Sequence, residues 1–392
     1  MVISRNSFFS YCYIIIVSVM YGFYFTKLDI EGSLHDLLLI LALLSAFASI
    51  VFDKYYTKSV IRIVGIILLG LLVYFSSHET LLIMMILLAI MAKNVGYHNM
   101  IKLIFYIRLT MFCIVMLCVL IGYIDIEKIT VSKGIYGDVI GYGFGYTHPN
   151  IFAEEILYLI TLYLCLKNES LKSINLIVLV IIDSITYCVT GAKTACGLLL
   201  LLVAVLFIYK KNNNEKLYKI YSKFSLVMSL VLPLVSILFP VLFMFSSGKL
   251  QTFLYLLNGK INQRISNSTM LFYSFPITLF GKIIDLNYIK MQYGYNVIDS
   301  GYVYLLFNFG IIGFILIVFL YFYSIKKLIQ KKQVVYLSVI MITLSLATME
   351  NVLRAPFVNF CMIFWWEALS ETFSKVDNKL LKFNRYGRKY DS

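Results

Sequence analysis

Phe224-Ser-Leu-Val-Met-Ser-Leu-Val-Leu-Pro-Leu-Val-Ser-Ile-Leu-Phe-Pro-Val-Leu-Phe-Met-Phe-Ser246 runs for 23 residues without a charged side chain. At about 1.5 Å per residue a helix of that length spans a hydrocarbon layer of roughly 30 Å. A soluble core helix keeps one polar face toward water, and this stretch has none.

Outward from that stretch the pattern repeats along the whole chain. A helix-length ruler gives twelve candidate spans, at 8–25, 34–52, 59–76, 80–92, 103–123, 150–166, 173–190, 194–209, 224–246, 300–323, 334–349 and 355–372. Hydrophobic residues make up 61% of the chain and charged ones 14%, against about 25% charged in a soluble domain. A mean hydropathy of +0.86 agrees. The first run has no Ala-x-Ala-like cleavage site and is followed by many others, so it is expected to be a span rather than a removed signal. Lipid leaves backbone polar groups no partner, and the runs are too long and continuous for barrel strands. The expected fold is therefore all-α: a polytopic membrane helical bundle of about 12 transmembrane helices forming one domain over residues 1–392. Pro233 and Pro240 are expected to kink the ninth span.

With the N-terminus placed inside, 24 of the 34 basic residues fall in inner segments, among them Arg5, Lys93, Arg108, Lys210, Lys326 and the tail from Lys375. The positive-inside rule then puts both termini in the cytoplasm. The net charge of +14 is spread over short loops between apolar helices, which suits topogenesis and anionic lipid headgroups rather than nucleic acid. All seven cysteines sit inside spans, with no spacing that suggests a metal site or an outer disulfide.

Two outer segments break the rhythm of short loops: residues 124–149 and residues 247–299. The second is rich in apolar and aromatic residues, including Phe253, Leu256, Met270 and Phe272, and is expected to form short interfacial helices roofing a cavity.

Four local sequences in and around these loops carry a resemblance. They are Gly141-Tyr-Gly-Phe-Gly-Tyr-Thr-His148-Pro149-Asn150, Thr190-Gly-Ala-Lys193-Thr194-Ala195, Gln263-Arg264 followed by Leu279-Phe280-Gly281, and Tyr295-Asn-Val-Ile-Asp299-Ser300-Gly301-Tyr302 followed by Gly310-Ile-Ile-Gly313. Together with the span pattern and the late large loop, they resemble the Wzy-type O-antigen and capsular polysaccharide polymerases, within the O-antigen ligase-like superfamily. The large loop has no histidine, which ligases of that superfamily place there.

The resemblance implies polymerisation of undecaprenyl diphosphate-linked oligosaccharide repeat units at the outer face of a bacterial plasma membrane. It implies no cofactor and no metal. As partners it implies the carrier-linked oligosaccharide, membrane lipids, a flippase and a chain-length regulator. Such a transfer needs cations at the leaving diphosphate, for which Lys193, Arg264 and Arg354 are the candidates. It needs a base for the attacking hydroxyl, drawn from Asp299, Glu154, Glu155 and His148, so that Arg264, Asp299, His148 and Glu154 form the catalytic set. Outer aromatics such as Tyr136, Tyr142, Phe144, Tyr146, Tyr295 and Tyr302 would face the sugars.

Each of these residues has a plainer role open to it. Lys193 suits a helix-end charge that snorkels, and Arg264 a solvated loop charge. Arg354 suits an ion pair with Glu350 four residues earlier, Asp299 an N-cap, and His148-Pro149-Asn150 a helix start capped by Asn150. Asp183 in the seventh span suits an interhelical hydrogen bond or a proton relay. Asp29-Ile-Glu31 and Asp125-Ile-Glu127 imitate paired metal ligands at a spacing common by chance. Two other activities remain open: a lipid-linked oligosaccharide flippase, with Asp183, Lys193 and Arg354 along its path, and a glycan ligase. A membrane O-acyltransferase lacks its histidine in an early span.

Overall fold

The computed structural model describes residues 5–28, 30, 32–53, 57–132, 138–212, 214–295, 297–354 and 359–369. Asp29, Glu31, Tyr136 and the basic tail from Lys375 lie outside the described residues. In chain order the elements are α1 (Arg5–Gly22), α2 (Ser33–Val51), α3 (Thr57–Ser77), α4 (Leu81–Val95), α5 (Tyr97–Leu120), β1 (Lys128–Ser132), β2 (Asp138–Tyr142), α6 (Pro149–Lys167), α7 (Ser173–Thr190), α8 (Lys193–Asn212) and α9 (Glu215–Phe245). Then come α10 (Gly248–Lys260), α11 (Arg264–Ser274), α12 (Leu286–Tyr293), α13 (Gly301–Asn308), α14 (Gly310–Gln330), α15 (Val334–Leu346) and α16 (Trp365–Leu369).

Eight of these helices, α2, α3, α5 to α9 and α14, are long and apolar enough to cross a membrane. The shorter apolar helices α4 and α15 sit at the centre of the bundle. Met84 to Ala92 and Leu337 to Leu344 are buried throughout, so protein rather than lipid surrounds them. The outer helices show the reverse. Leu37, Ile40, Leu44 and Phe47 on α2, and Ile174, Ile177, Ile181 and Ile185 on α7, form exposed apolar stripes at helical spacing, which only hydrocarbon would solvate without cost. The helix α9 runs unbroken through Pro233 and Pro240. Both prolines lie on its buried face with Ser225, Ser229 and Ser236.

Two expected spans are interrupted. The tenth breaks between α13 and α14, at Phe309 and Gly310. There the segment 278–282 enters the gap and takes up the freed backbone groups: Lys282 N–H donates to Phe307 O (3.1 Å), while Ile311 and Ile312 N–H donate to Thr278 O (3.0 Å) and Leu279 O (3.1 Å). The approach needs glycine on both sides. A Cβ at Gly281 would fall 2.0 Å from Asn308 O and one at Gly310 would fall 2.2 Å from Gly281 N, and both residues have positive φ. The twelfth expected span, within its described part, is a 3-10 turn (Phe360–Phe364) followed by α16, buried among aromatic side chains. Ser324 Oγ donates to Phe364 O there (2.9 Å).

At the end of the bundle where α1 stops and α6 starts, the two early loops lock together. Thr26 and Tyr146 form an antiparallel bridge, Thr147 N–H donates to Phe25 O (2.9 Å), and Lys27 pairs with Glu127 (2.9 Å). That ion pair gives Glu127 a role other than metal ligand. The glycines of the 141–146 stretch let the chain pass this close: a Cβ at Gly141 would meet Thr190 O, one at Gly143 would meet Tyr146 O, and one at Gly145 would meet Val115.

Candidate functional site

Several elements converge on one cavity at this end. The segment after α1 supplies Tyr24 and Phe25, α5 supplies Arg108, and α6 supplies Glu154, Glu155 and Tyr158. Asp299 comes from the approach to α13, and Glu350 and Arg354 from the turn after α15. The cavity holds about 130 Å³, with Tyr21 and Tyr146 completing its aromatic wall.

Arg264 is placed by local chemistry. It opens α11 after Asn262 and Gln263, both in left-handed conformation. Asn258 of α10 caps the new helix: its Oδ1 accepts from Ile265 N–H (3.0 Å) and Ser266 N–H (3.1 Å). The helix then presents Arg264 and Asn267, three residues apart, on one face. Arg264 Nη2 donates to Glu350 Oε1 (2.6 Å), and Asn267 Nδ2 donates to Asp299 Oδ2 (3.1 Å). Burial opposes the charge on Arg264, but the carboxylates of Glu350, Asp299 and Glu154 outweigh it and hold its pKa above the ordinary value. It is not a solvated loop charge.

The turn after α15 is pinned to the start of α13 by Gly301 N–H, which donates to Ala347 O (2.9 Å) and Glu350 O (3.2 Å). That brings Asp299 and Glu350 together. Asp299 does not cap α13, since Ser300 Oγ accepts from Val303 N–H. Both Asp299 oxygens are taken up instead, Oδ1 by the Tyr295 hydroxyl (2.8 Å) and Oδ2 by Asn267. Burial raises the Glu350 pKa above the ordinary carboxyl value; Arg264 opposes the shift and Asp299 adds to it.

Arg354 does not pair with Glu350. Its guanidinium lies 4.7 Å from the Tyr24 ring centroid, 5.1 Å from Phe25 and 5.9 Å from Tyr304, and among the described residues no carboxylate is within ion-pair distance. Burial pulls its pKa down to about 10, so it stays charged at neutral pH. Aromatic faces hold this cation, and among the described residues no acid neutralises it, which leaves its charge open to an anion.

Neighbouring Glu155 is occupied: Arg108 donates to it twice, Nε to Oε1 and Nη2 to Oε2, each at 2.7 Å, with both side chains buried. Arg108 therefore lies within α5 and is not one of the inner-loop charges. Glu154 lines the cavity with no hydrogen-bond partner among the described residues. His148, not Asn150, caps α6: its Nδ1 accepts from Asn150 N–H (3.0 Å). Burial and then Arg264 lower its pKa, against Asp299 and Glu127, so it is a neutral neighbour of the cluster.

Lys193 is exposed at the first position of α8 and does not line the cavity. Asp183 is buried elsewhere, against the Cys196 thiol of α8, with its Oδ1 unpartnered among the described residues. Tyr146 does face the cavity, whereas Tyr302 is buried and donates to Leu344 O (3.0 Å).

No family model, curated protein or solved structure matches this chain.

The sequence therefore pointed to Arg354, Asp299, Glu154 and Glu155 on the cavity wall and to Arg264 and His148 beside it, and missed two residues of the wall, Arg108 and Glu350. Arg108 had a usable signal, since a charge well inside an apolar helix is by default functional or paired. Glu350 had none beyond its position near Arg354. Tyr24 and Phe25 looked like the end of the first span.

Proposed function

We propose that the chain polymerises lipid-linked oligosaccharide repeat units, transferring a growing glycan from its diphosphate carrier to the sugar end of another carrier-linked unit. The observation that carries this reading is Arg354: a half-buried guanidinium, stacked on aromatic rings and unpaired with any described carboxylate, in a cavity that also holds the unpaired Glu154. Transfer from a diphosphate needs this combination. Negative charge grows on the leaving diphosphate, where Arg354 would meet it, while an acceptor hydroxyl must shed a proton to a carboxylate. Arg264 stands behind the wall and acts through Glu350, and Arg108 is committed to Glu155. In this reading Arg354 meets the leaving diphosphate, a carboxylate of the same cavity takes the proton, Arg264 is a positioning residue, and Lys193 serves as a helix-end charge.

The wider assignment goes with it: twelve passes completed by α1, α4, α15 and the 360–369 segment, both termini cytoplasmic, and α10 to α12 as the outer roof of a bacterial plasma membrane protein. Exposed Leu250, Phe253 and Leu256 on α10 support a helix lying against headgroups.

A lipid-linked oligosaccharide flippase is the second reading, favoured by the broken α13–α14 helix, since transporters use such breaks to bind cargo. Here the segment 278–282 occupies the freed backbone groups, which supports a structural break. Purified protein in lipid nanodiscs, mixed with carrier-linked repeat units, separates the readings. A polymerase yields a ladder of products, whereas a flippase or a ligase leaves single units.

A further inference from the structure

Four carboxylates line the cavity, and their hydrogen bonding sorts them. Glu155 has both oxygens engaged by Arg108. Asp299 has both engaged, by Tyr295 and Asn267. Glu154 is unanchored. Glu350 has one oxygen fixed by Arg264 at 2.6 Å, and its Oε2 has no donor among the described residues. A general base must be held in place and still leave an oxygen open to the incoming hydroxyl, and among these four Glu350 alone has one oxygen fixed and the other without a donor among the described residues.

Resting on the polymerase reading above, we propose that Glu350 is the catalytic base of the transfer, with Arg264 as its positioning residue. The acceptor hydroxyl oxygen forms a bond to the anomeric carbon of the donor glycan while the bond from that carbon to the carrier diphosphate breaks. The bonding pair leaves on the diphosphate oxygen, beside Arg354. The hydroxyl proton goes to Glu350 Oε2, and no other reactant is consumed. Glu154 lines the same cavity. A carboxyl pKa raised by burial suits the role, because a base works best when its pKa approaches the working pH.

The test is Glu350→Gln in the full-length protein in nanodiscs. Glutamine keeps an oxygen that accepts from Arg264 and removes the basic lone pair. With carrier-linked repeat units, turnover should fall at least about 100-fold. The Kd for the same substrate should stay within about 3-fold, and the thermal midpoint should fall only modestly, because glutamine still accepts from Arg264, and Asp299 and Glu154 still face the Arg264 charge. Glu350→Asp, which restores a carboxylate one methylene short, should recover part of the rate. Arg264→Lys should lower kcat with KM nearly unchanged. A Glu350→Gln enzyme that polymerises at close to the wild-type rate overturns the inference, as does one that loses binding and thermal stability along with turnover. Absence of a ladder from the wild type instead overturns the parent reading.

Discussion

Replacing Arg354 by alanine removes the cavity's unpaired cation while breaking no ion pair among the described residues. The stacking on Tyr24, Phe25 and Tyr304 is lost, but no buried carboxylate is stranded, so the fold should hold. A charge-assisted hydrogen bond to a phosphate oxygen contributes about 1.5–3 kcal/mol. At about 1.36 kcal/mol per decade that becomes a loss of roughly 10- to 150-fold in kcat/KM. Arg354→Lys keeps the charge and loses the planar stack, so it should fall between alanine and wild type. The assay is single-turnover extension of carrier-linked repeat units by nanodisc-embedded protein, read as ladder intensity over time, with the thermal midpoint recorded alongside. An Arg354→Ala protein with wild-type stability and kcat/KM within 2- to 3-fold of wild type, as an order-of-magnitude bound, would refute the reasoning.

Arg108→Ala leaves Glu155 as a lone buried charge and should cost about 3–5 kcal/mol, seen as a large drop in the unfolding midpoint; replacing both residues by apolar ones should recover most of it. Lys193→Ala should keep ladder formation within about 2-fold of wild type, as a surface change does; a loss like that of Arg354→Ala would return Lys193 to the site. His148 caps α6 in its neutral form with a lowered pKa, so folding favours the unprotonated ring. The unfolded chain takes up the proton first, and stability present above about pH 6.5 should be lost as the pH falls below it. His148→Asn, which keeps an acceptor at the cap, should flatten the dependence of the midpoint between pH 7 and 5.

The helices were legible because lipid imposes a length and a composition that no other environment asks for. Their interruptions were less so. Gly310 and Gly281 were visible as glycines, but only the fold reveals that each lets the other's backbone through. The site was legible where a charge stood in an outer loop, as with Arg264, or at a loop exit, as with Asp299. It failed where sequence proximity misled: Glu350 and Arg354 look like a helical pair four apart, yet the chain between them turns instead of continuing α15, which sends one to Arg264 and the other to three aromatic rings. Arg108 failed for a related reason. Its partner Glu155 is 47 residues away, and no local pattern reports a contact between neighbouring helices. Lys193 shows the converse, a charge in a suggestive motif that the fold leaves exposed.

The most direct test is photo-cross-linking with p-benzoylphenylalanine in place of Tyr24, beside Arg354, or in place of Lys193, using radiolabelled carrier-linked repeat units. The label should attach at the Tyr24 position, be competed away by unlabelled carrier diphosphate, and be absent at the Lys193 position. Labelling at Lys193 without labelling at Tyr24 would mean that the diphosphate binds outside the cavity.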